Sequence, residues 1–362
     1  MHTVIDAATQ TKKHFKILDG LRGVAALAIV VFHFTEWIYA EFTQNFILHG
    51  FLAVDFFFCL SGFVIAYAYD NRITTMGTLE FFKRRLIRLH PLVVLGSILG
   101  LIAFLADPYS NAASLYDFGK TAIIFICSVL LIPYPVMEDR SFNNFGLNAP
   151  AWSLFWEYVA NIAYVFVLYR LSRSIVTILL VLAAAALIYV SYTSDLLLGG
   201  WNGETFWHGG ARIAFSFLAG LFIYRGNLII KNSIGFIGLS GMLLVALLMP
   251  YFQWNWFVEL MIVMLYFPLL VSLGAGSVLS PKVEKACEFS GNISYPLYMT
   301  HYAFIWIFGN YFLTTKPDTT QLTVVIAVGT ILMVLFAYLV MVYYDMPLRK
   351  YLTNRFSKIK HN

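Results

Sequence analysis

LDGLRGVAALAIVVFHFTEW, residues 18–37, has the length and apolarity of a membrane-spanning helix, yet it holds Arg22 and His33 inside it. Ionisable side chains at bilayer depth are costly and persist where they are paired or functional. The eleven positions between them, at 100° per residue, make three turns plus about 20°, so both lie on one face roughly 16 Å apart along the axis. Asp19 and Glu36 fall near the same face, and the residues between Arg22 and His33 carry no polar side chain. A narrow polar stripe therefore runs along an apolar helix.

Composition sets the solvent for that stripe. Of 362 residues, 60% are hydrophobic and 12% charged, whereas soluble domains carry about 25% charged residues. The chain is expected to be an all-α polytopic membrane protein forming one integral domain over residues 1–362, with no linker and no nucleic-acid partner. Its first apolar run follows Lys12, Lys13 and Lys16 without a small-residue cleavage site, so it should remain as the first span. The three cysteines, Cys59, Cys127 and Cys287, have spacings that fit neither a metal knuckle nor a disulfide framework. No metal is expected.

Eleven apolar segments follow, at about 17–38, 51–70, 86–106, 119–132, 151–169, 174–192, 208–224, 233–251, 255–273, 292–312 and 321–344. Basic residues gather at the N-terminus, around Arg72 and Lys83 to Arg88, at Arg170 and Arg173, at Arg225 and Lys231, at Lys282 and Lys285, and in the tail. The loops 39–50, 193–207 and 252–254 have none. Under the positive-inside rule these sets face the cytoplasm and the outside respectively. Alternation holds when the short segment 119–132 is re-entrant or interfacial. The expectation is ten spans in a bacterial inner membrane, with the N-terminus (1–16) and the tail (345–362) both cytoplasmic.

Sidedness gives each polar residue a depth. Asp55, Cys59 and Gly62, spaced by four and three, stack on one face of the second span. Asp55 is placed to hydrogen-bond the His33 ring, or else to be a carboxylate wetted at the outer interface. Ser153, Glu157 and Asn161 recur every four residues in APAWSLFWEYVAN. Glu157 would polarise an acceptor hydroxyl or orient His33, though such an edge also serves as interhelical glue. Arg85 and Arg88 in FFKRRLIRLHPL stand at the third span's inner end, where bland readings are topology signals and headgroup contacts. With Arg22 at the same depth they form a forked phosphate clamp, which Arg349, after Asp345 and Pro347, would join. His301, three residues after Tyr298, is either a packing residue or part of a site.

A cytoplasmic arginine mouth, a polar stripe and an outward histidine describe a conduit for a phosphate-bearing molecule whose reactive end reaches deep. Acyl-coenzyme A has that shape. His33 would act as general base towards a hydroxyl, or as a transient acyl carrier.

These blocks, LDGLRGVAALAIVVFHF, GFLAVDFFFCLSGFVIA, RRLIRLHP, WSLFWE, ISYPLYMTH and DMPLRK, resemble acyltransferase family 3 over nearly the whole chain. The resemblance implies a membrane enzyme moving acyl groups, commonly acetyl from acetyl-CoA, onto hydroxyls of sugars, glycolipids or polysaccharides. It implies that Arg22 and His33 are the family's essential pair, that Arg85 and Arg88 form its cytoplasmic arginine motif, and that Trp152, Ser153 and Glu157 form its WSLxxE block. On this reading His33, Asp55 and Glu157 are catalytic, Arg22, Arg85, Arg88 and Arg349 bind the donor, and Trp152, Ser153 and His301 bind substrate. Asp345 departs from the glutamate more usual in the terminal block. No extra hydrolase-like domain is recognisable, so the stand-alone form is expected. Rivals are a proton-coupled transporter using the same His, Asp, Glu and Arg network, a sensory or structural membrane protein, and the other multi-span acyltransferase family, which pairs a histidine with an asparagine. The transporter reading lacks a second copy of the Arg22–His33 pattern.

Overall fold

The computed structural model describes residues 14–358; of the expected cytoplasmic segments 1–16 and 345–362, residues 1–13 and 359–362 lie outside the described residues. Each of the eleven apolar segments falls on a helix: α1 (Lys16–Ile38), α2 (Ala53–Tyr69), α3 (Thr78–Leu105), α4 (Phe118–Val129), α5 (Ala151–Phe166), α6 (Arg173–Ser194), α7 (Phe206–Arg225), α8 (Gly235–Leu247), α9 (Asn255–Gly276), α10 (Pro281–Thr315) and α11 (Thr319–Val340). No strand forms among the described residues.

Seven of these helices are long and apolar enough to cross a membrane: α1, α2, α3, α6, α7, α9 and α11, the second and last counted with flanking turns. The ten spans expected from the sequence would add α5, α8 and α10. The first two have 16 and 13 residues, below the ~20 that cross the hydrocarbon. At 35 residues α10 is long enough but polar at its start. It is walled in by α1, α3 and α11, and a helix sheltered by protein needs no uniformly apolar surface. By contrast α6 and α11 expose Val181, Leu182, Ile331 and Leu332, a lipid-facing surface.

Helix ends depart from the apolar runs where polar residues continue the helix. The basic stretch before residue 86 is the first two turns of α3, which starts at Thr78 and buries Arg85. Likewise Pro296 sits inside α10 rather than at its start. Its missing N–H removes one helical hydrogen bond, and the dense packing of α10 on α1 holds the helix through that gap. Beyond α11 a π turn, Met341–Asp345, leads into a last helix, α12 (Met346–Lys358). π turns often shift register at functional sites. This one buries Asp345.

Close backbone contact fixes the pairs that carry the site. A Cβ at Gly62 of α2 would stand 2.0 Å from the Phe217 carbonyl, and one at Gly220 of α7 would stand 1.9 Å from the Cys59 carbonyl. The two helices therefore touch main chain to main chain, as small residues allow. On α1, a Cβ at Gly23 would stand 2.1 Å from Ser290 Oγ of α10. The helix bearing Arg22 and His33 is thus laid tightly on the helix bearing Tyr298 and His301.

Candidate active site

All four arginines named from the sequence line one cavity of about 460 Å³, although they come from three helices, α1, α3 and α12. Three are already matched to carboxylates. Arg22 Nη1 is 3.2 Å from Asp19 Oδ1, Arg85 Nη2 is 2.6 Å from Glu157 Oε1, and Arg349 Nη2 is 2.9 Å from Asp345 Oδ2. Arg22 is further fixed by donating to Ser294 Oγ and the Gly291 carbonyl, both at 2.8 Å. Arg88 makes no hydrogen bond or ion pair among the described residues, and its side chain is exposed. Its guanidinium is the unneutralised charge of this chamber. Asp345 Oδ1 is buried without a partner beside it, a spare acceptor in a cationic cavity.

A second chamber of about 330 Å³ contains His33. His33 Nδ1 lies 2.7 Å from Glu36 Oε1 on the same helix, three residues on. A carboxylate accepts, so Nδ1 carries the proton and Nε2 keeps its lone pair, the tautomer a general base needs. The Tyr302 hydroxyl donates to the same oxygen at 3.3 Å. Behind His33 stacks His301, ring centres 5.3 Å apart and 25° between planes. His301 Nδ1 donates to its own helix, to the carbonyls of Tyr298 at 2.9 Å and Leu297 at 3.1 Å.

The chambers meet at a common wall, because Val54 and Tyr298 line both. Ser153 Oγ donates to the Pro150 carbonyl at 2.9 Å, so in its 2.8 Å bond with Tyr298 the tyrosine hydroxyl is the donor. This bond ties α5 to α10 across the partition.

Several sequence expectations land elsewhere. Asp55 does not reach His33. It is fully buried and takes a forked contact from Arg212, with Nη2 at 2.6 Å and Nε at 3.1 Å. Arg212 is itself fully buried, donates also to the carbonyls of Phe51 and Gly199, and lies over the Trp152 ring. The α2–α7 contact sets that geometry, which a sequence spacing within α2 does not reveal. Glu157 stands with Arg85 and Ser61 in the arginine chamber instead of beside His33. Trp152 and Ser153, adjacent in sequence, point to the His33 chamber and the arginine chamber respectively. His301 lines neither chamber: it backs His33, because its ring turns to its own helix for a partner.

Arg212 and Tyr302 were missed, and Glu36, placed on the polar stripe of α1, was given no role. An arginine inside the apolar run 208–224 was itself the signal for Arg212, and the i, i+3 spacing from His33 was the signal for the role of Glu36. Also unassigned was a sealed cluster near the His33 end, in which His49 Nε2 is 3.0 Å from Asn255 Oδ1 and Glu259 accepts from the Leu197 amide at 2.6 Å. It anchors the loop whose Gly199 carbonyl holds Arg212. Outside the spans, burial draws the Arg140 guanidinium below its usual pKa, with Asp139 opposing the shift.

Residues 15–342 match the acyltransferase domain of acyltransferase family 3. Among curated proteins, the chain is 38% identical over 162 residues to "Protein 2 in picA locus" of Rhizobium radiobacter, covering 42% of this chain and 81% of that one. It is 33% identical over 168 residues to "Acyltransferase MdmB" of Streptomyces mycarofaciens, covering 44% and 40%. Over 81 residues it is 38% identical to "O-acetyltransferase OatA" of Staphylococcus aureus strain NCTC 8325, covering 21% and 12%. No solved structure matches it significantly.

Proposed function

Because the chain belongs to acyltransferase family 3 and is a membrane O-acyltransferase, we propose that it transfers an acyl group, most simply acetyl, from acyl-coenzyme A in the arginine chamber to a carbohydrate hydroxyl in the His33 chamber. The observation that carries this reading is the pair of chambers abutting at Tyr298 and Val54, one cationic and one holding a poised histidine. On this reading the arginine chamber opens to the cytoplasm, where the donor is made, as the basic loops beside it suggest.

The donor's phosphates sit against Arg88 and the outer edges of Arg22 and Arg349, since guanidinium forks match phosphate oxygens. Its pantetheine arm runs toward Tyr298, with Asp345 Oδ1 as an acceptor near the mouth. At His33, Nε2 removes the acceptor hydroxyl's proton as its oxygen bonds to the thioester carbonyl carbon. The C–S bond then breaks, and the imidazolium returns the proton to the departing thiolate. Glu36 stabilises the imidazolium in between, the task first expected of Asp55. Glu157 holds Arg85 in place, and His301 holds the His33 ring.

Purified protein given labelled acetyl-coenzyme A and a sugar acceptor should transfer the label; proton-driven uptake with no transfer would instead establish the transporter reading. Arg88→Ala should raise the donor KM. A charge-assisted hydrogen bond is worth about 1.5–3 kcal/mol, or roughly 10–150-fold, and Arg88→Lys should recover only part because it lacks the fork. A donor KM unchanged in Arg88→Ala would remove Arg88 from the donor site. Glu36→Gln should lower kcat on the order of 10²-fold while leaving the donor KM in place. Equal kcat would show that Glu36 does not orient the base.

A further inference from the structure

The residues around His33 narrow the acceptor beyond a hydroxyl-bearing molecule. Nine of the nineteen residues lining this chamber are aromatic, against 17% in the whole chain, and four of the chain's eight tryptophans are among them. Aromatic faces packed at this density suit the C–H face of a sugar ring. Two of these tryptophans, Trp37 and Trp306, stand edge to face with ring centres 5.9 Å apart. The indole N–H of each is buried with no hydrogen-bond partner. Buried donors are nearly always satisfied, and these two belong to residues that line one chamber, where a guest with acceptor oxygens would supply the missing partners.

The charges point the same way. Among the described residues, the charged groups lining the chamber besides His33 are Glu36 and Arg212. Arg212 is spent on Asp55 and on the carbonyls of Phe51 and Gly199. Arg140 lies nearby but outside the lining, with its guanidinium 4.2 Å from the Trp306 ring centre, its Nε 3.4 Å from Asp139 and its Nη1 buried without a partner. Among the described residues no unpaired lysine or arginine lines the chamber, while Glu36 presents negative charge. An anionic sugar would meet like charge in a desolvated space, which disfavours its binding.

Resting on the acyl-transfer reading above, we propose that the acceptor is a neutral sugar, seated on the aromatic wall with its hydroxyl oxygens accepting from the indole N–H groups of Trp37 and Trp306. One of the sugar's other hydroxyls is then presented to His33 Nε2. The acceptor oxygen gains the acyl carbon, its proton passes to His33, and the thiol leaves, as in the general mechanism.

The test uses the full chain in lipid nanodiscs with acetyl-coenzyme A and four acceptors: methyl glucoside, methyl glucuronide, methyl glucosaminide with its amine free, and cyclohexylmethanol. Acetylated product is read by mass spectrometry. Methyl glucoside should exceed each of the others at least tenfold in kcat/KM. Trp37→Phe and Trp306→Phe, which keep a ring and lose the N–H, should each raise the glucoside KM about tenfold, the effect falling on KM more than on kcat. Preference for the glucuronide or the amine, equal use of cyclohexylmethanol, or an unchanged glucoside KM in both variants would overturn the neutral-sugar proposal and leave acyl transfer standing. Acetyl-coenzyme A left intact with every acceptor would instead bring down the acyl-transfer reading, and this proposal with it.

Discussion

His33→Gln should lower kcat/KM by about 10²–10⁴-fold, the span that a positioned general base contributes, while the protein still inserts and purifies as a folded monodisperse species. Glutamine keeps a hydrogen-bonding head near Glu36 but offers no basic nitrogen. A role confined to helix packing would tolerate this exchange, because His33 is part-exposed in its chamber and its buried neighbour His301 supplies the packing. Rates of labelled acetyl transfer in matched amounts of both proteins decide the matter, and wild-type transfer by His33→Gln would remove His33 from the chemistry. Insertion of one alanine between Arg22 and His33 gives the same test by geometry. It turns the two residues about 100° apart on the helix, and Gly23 against Ser290 leaves α1 no room to rotate back.

Asp55→Ala should act on stability. Its carboxylate and the Arg212 guanidinium are both essentially sealed from solvent. Removing one partner of such a pair leaves a buried charge uncompensated, at a cost of about 3–5 kcal/mol. The expected result is a sharp loss of folded protein and a lowered midpoint in detergent thermal unfolding followed by size exclusion. Asp55→Leu combined with Arg212→Met, which removes both charges and keeps apolar volume, should recover most of the loss. If Asp55→Ala instead folds with a normal midpoint yet loses transfer, the carboxylate acts on the reaction and the sequence expectation of a catalytic Asp55 is restored.

The contrast between these two residues explains what was legible. His33 declared itself because a helical stripe is a local pattern, read within one turn-by-turn period. The arginine chamber was legible for a similar reason: Arg22, Arg85, Arg88 and Arg349 each sit at the same end of a helix, so depth alone brought them together. The partner of Asp55 was misread because it lies 157 positions away, and only the glycine contact between α2 and α7 makes them neighbours. Glu157 was given the right helix and the wrong chamber. Ser153 and Trp152 face different cavities because adjacent helical positions differ by about 100°, and which of those directions is which depends on how α5 rolls against α3 and α7. The eleven apolar segments were found as helices, but their ends were not, since Thr78 to Arg85 and Pro281 to Asn292 continue helices in polar sequence that hydropathy passes over.

The two chambers are also built from different material. The arginine chamber is framed by faces of α1, α2, α3, α5, α10 and α12, whereas Phe42, Ser141, Asn143, Leu198 and Trp201 bring connecting segments into the walls around His33. Helix faces are held by packing on every side, while loops accept substitution and insertion with little loss of fold. If the chambers divide donor from acceptor as proposed, a descendant of this chain can change what it decorates by rewriting loops and leave the donor side unchanged. Diversification of such enzymes would run along one side of the partition at Tyr298 and leave the other side nearly still.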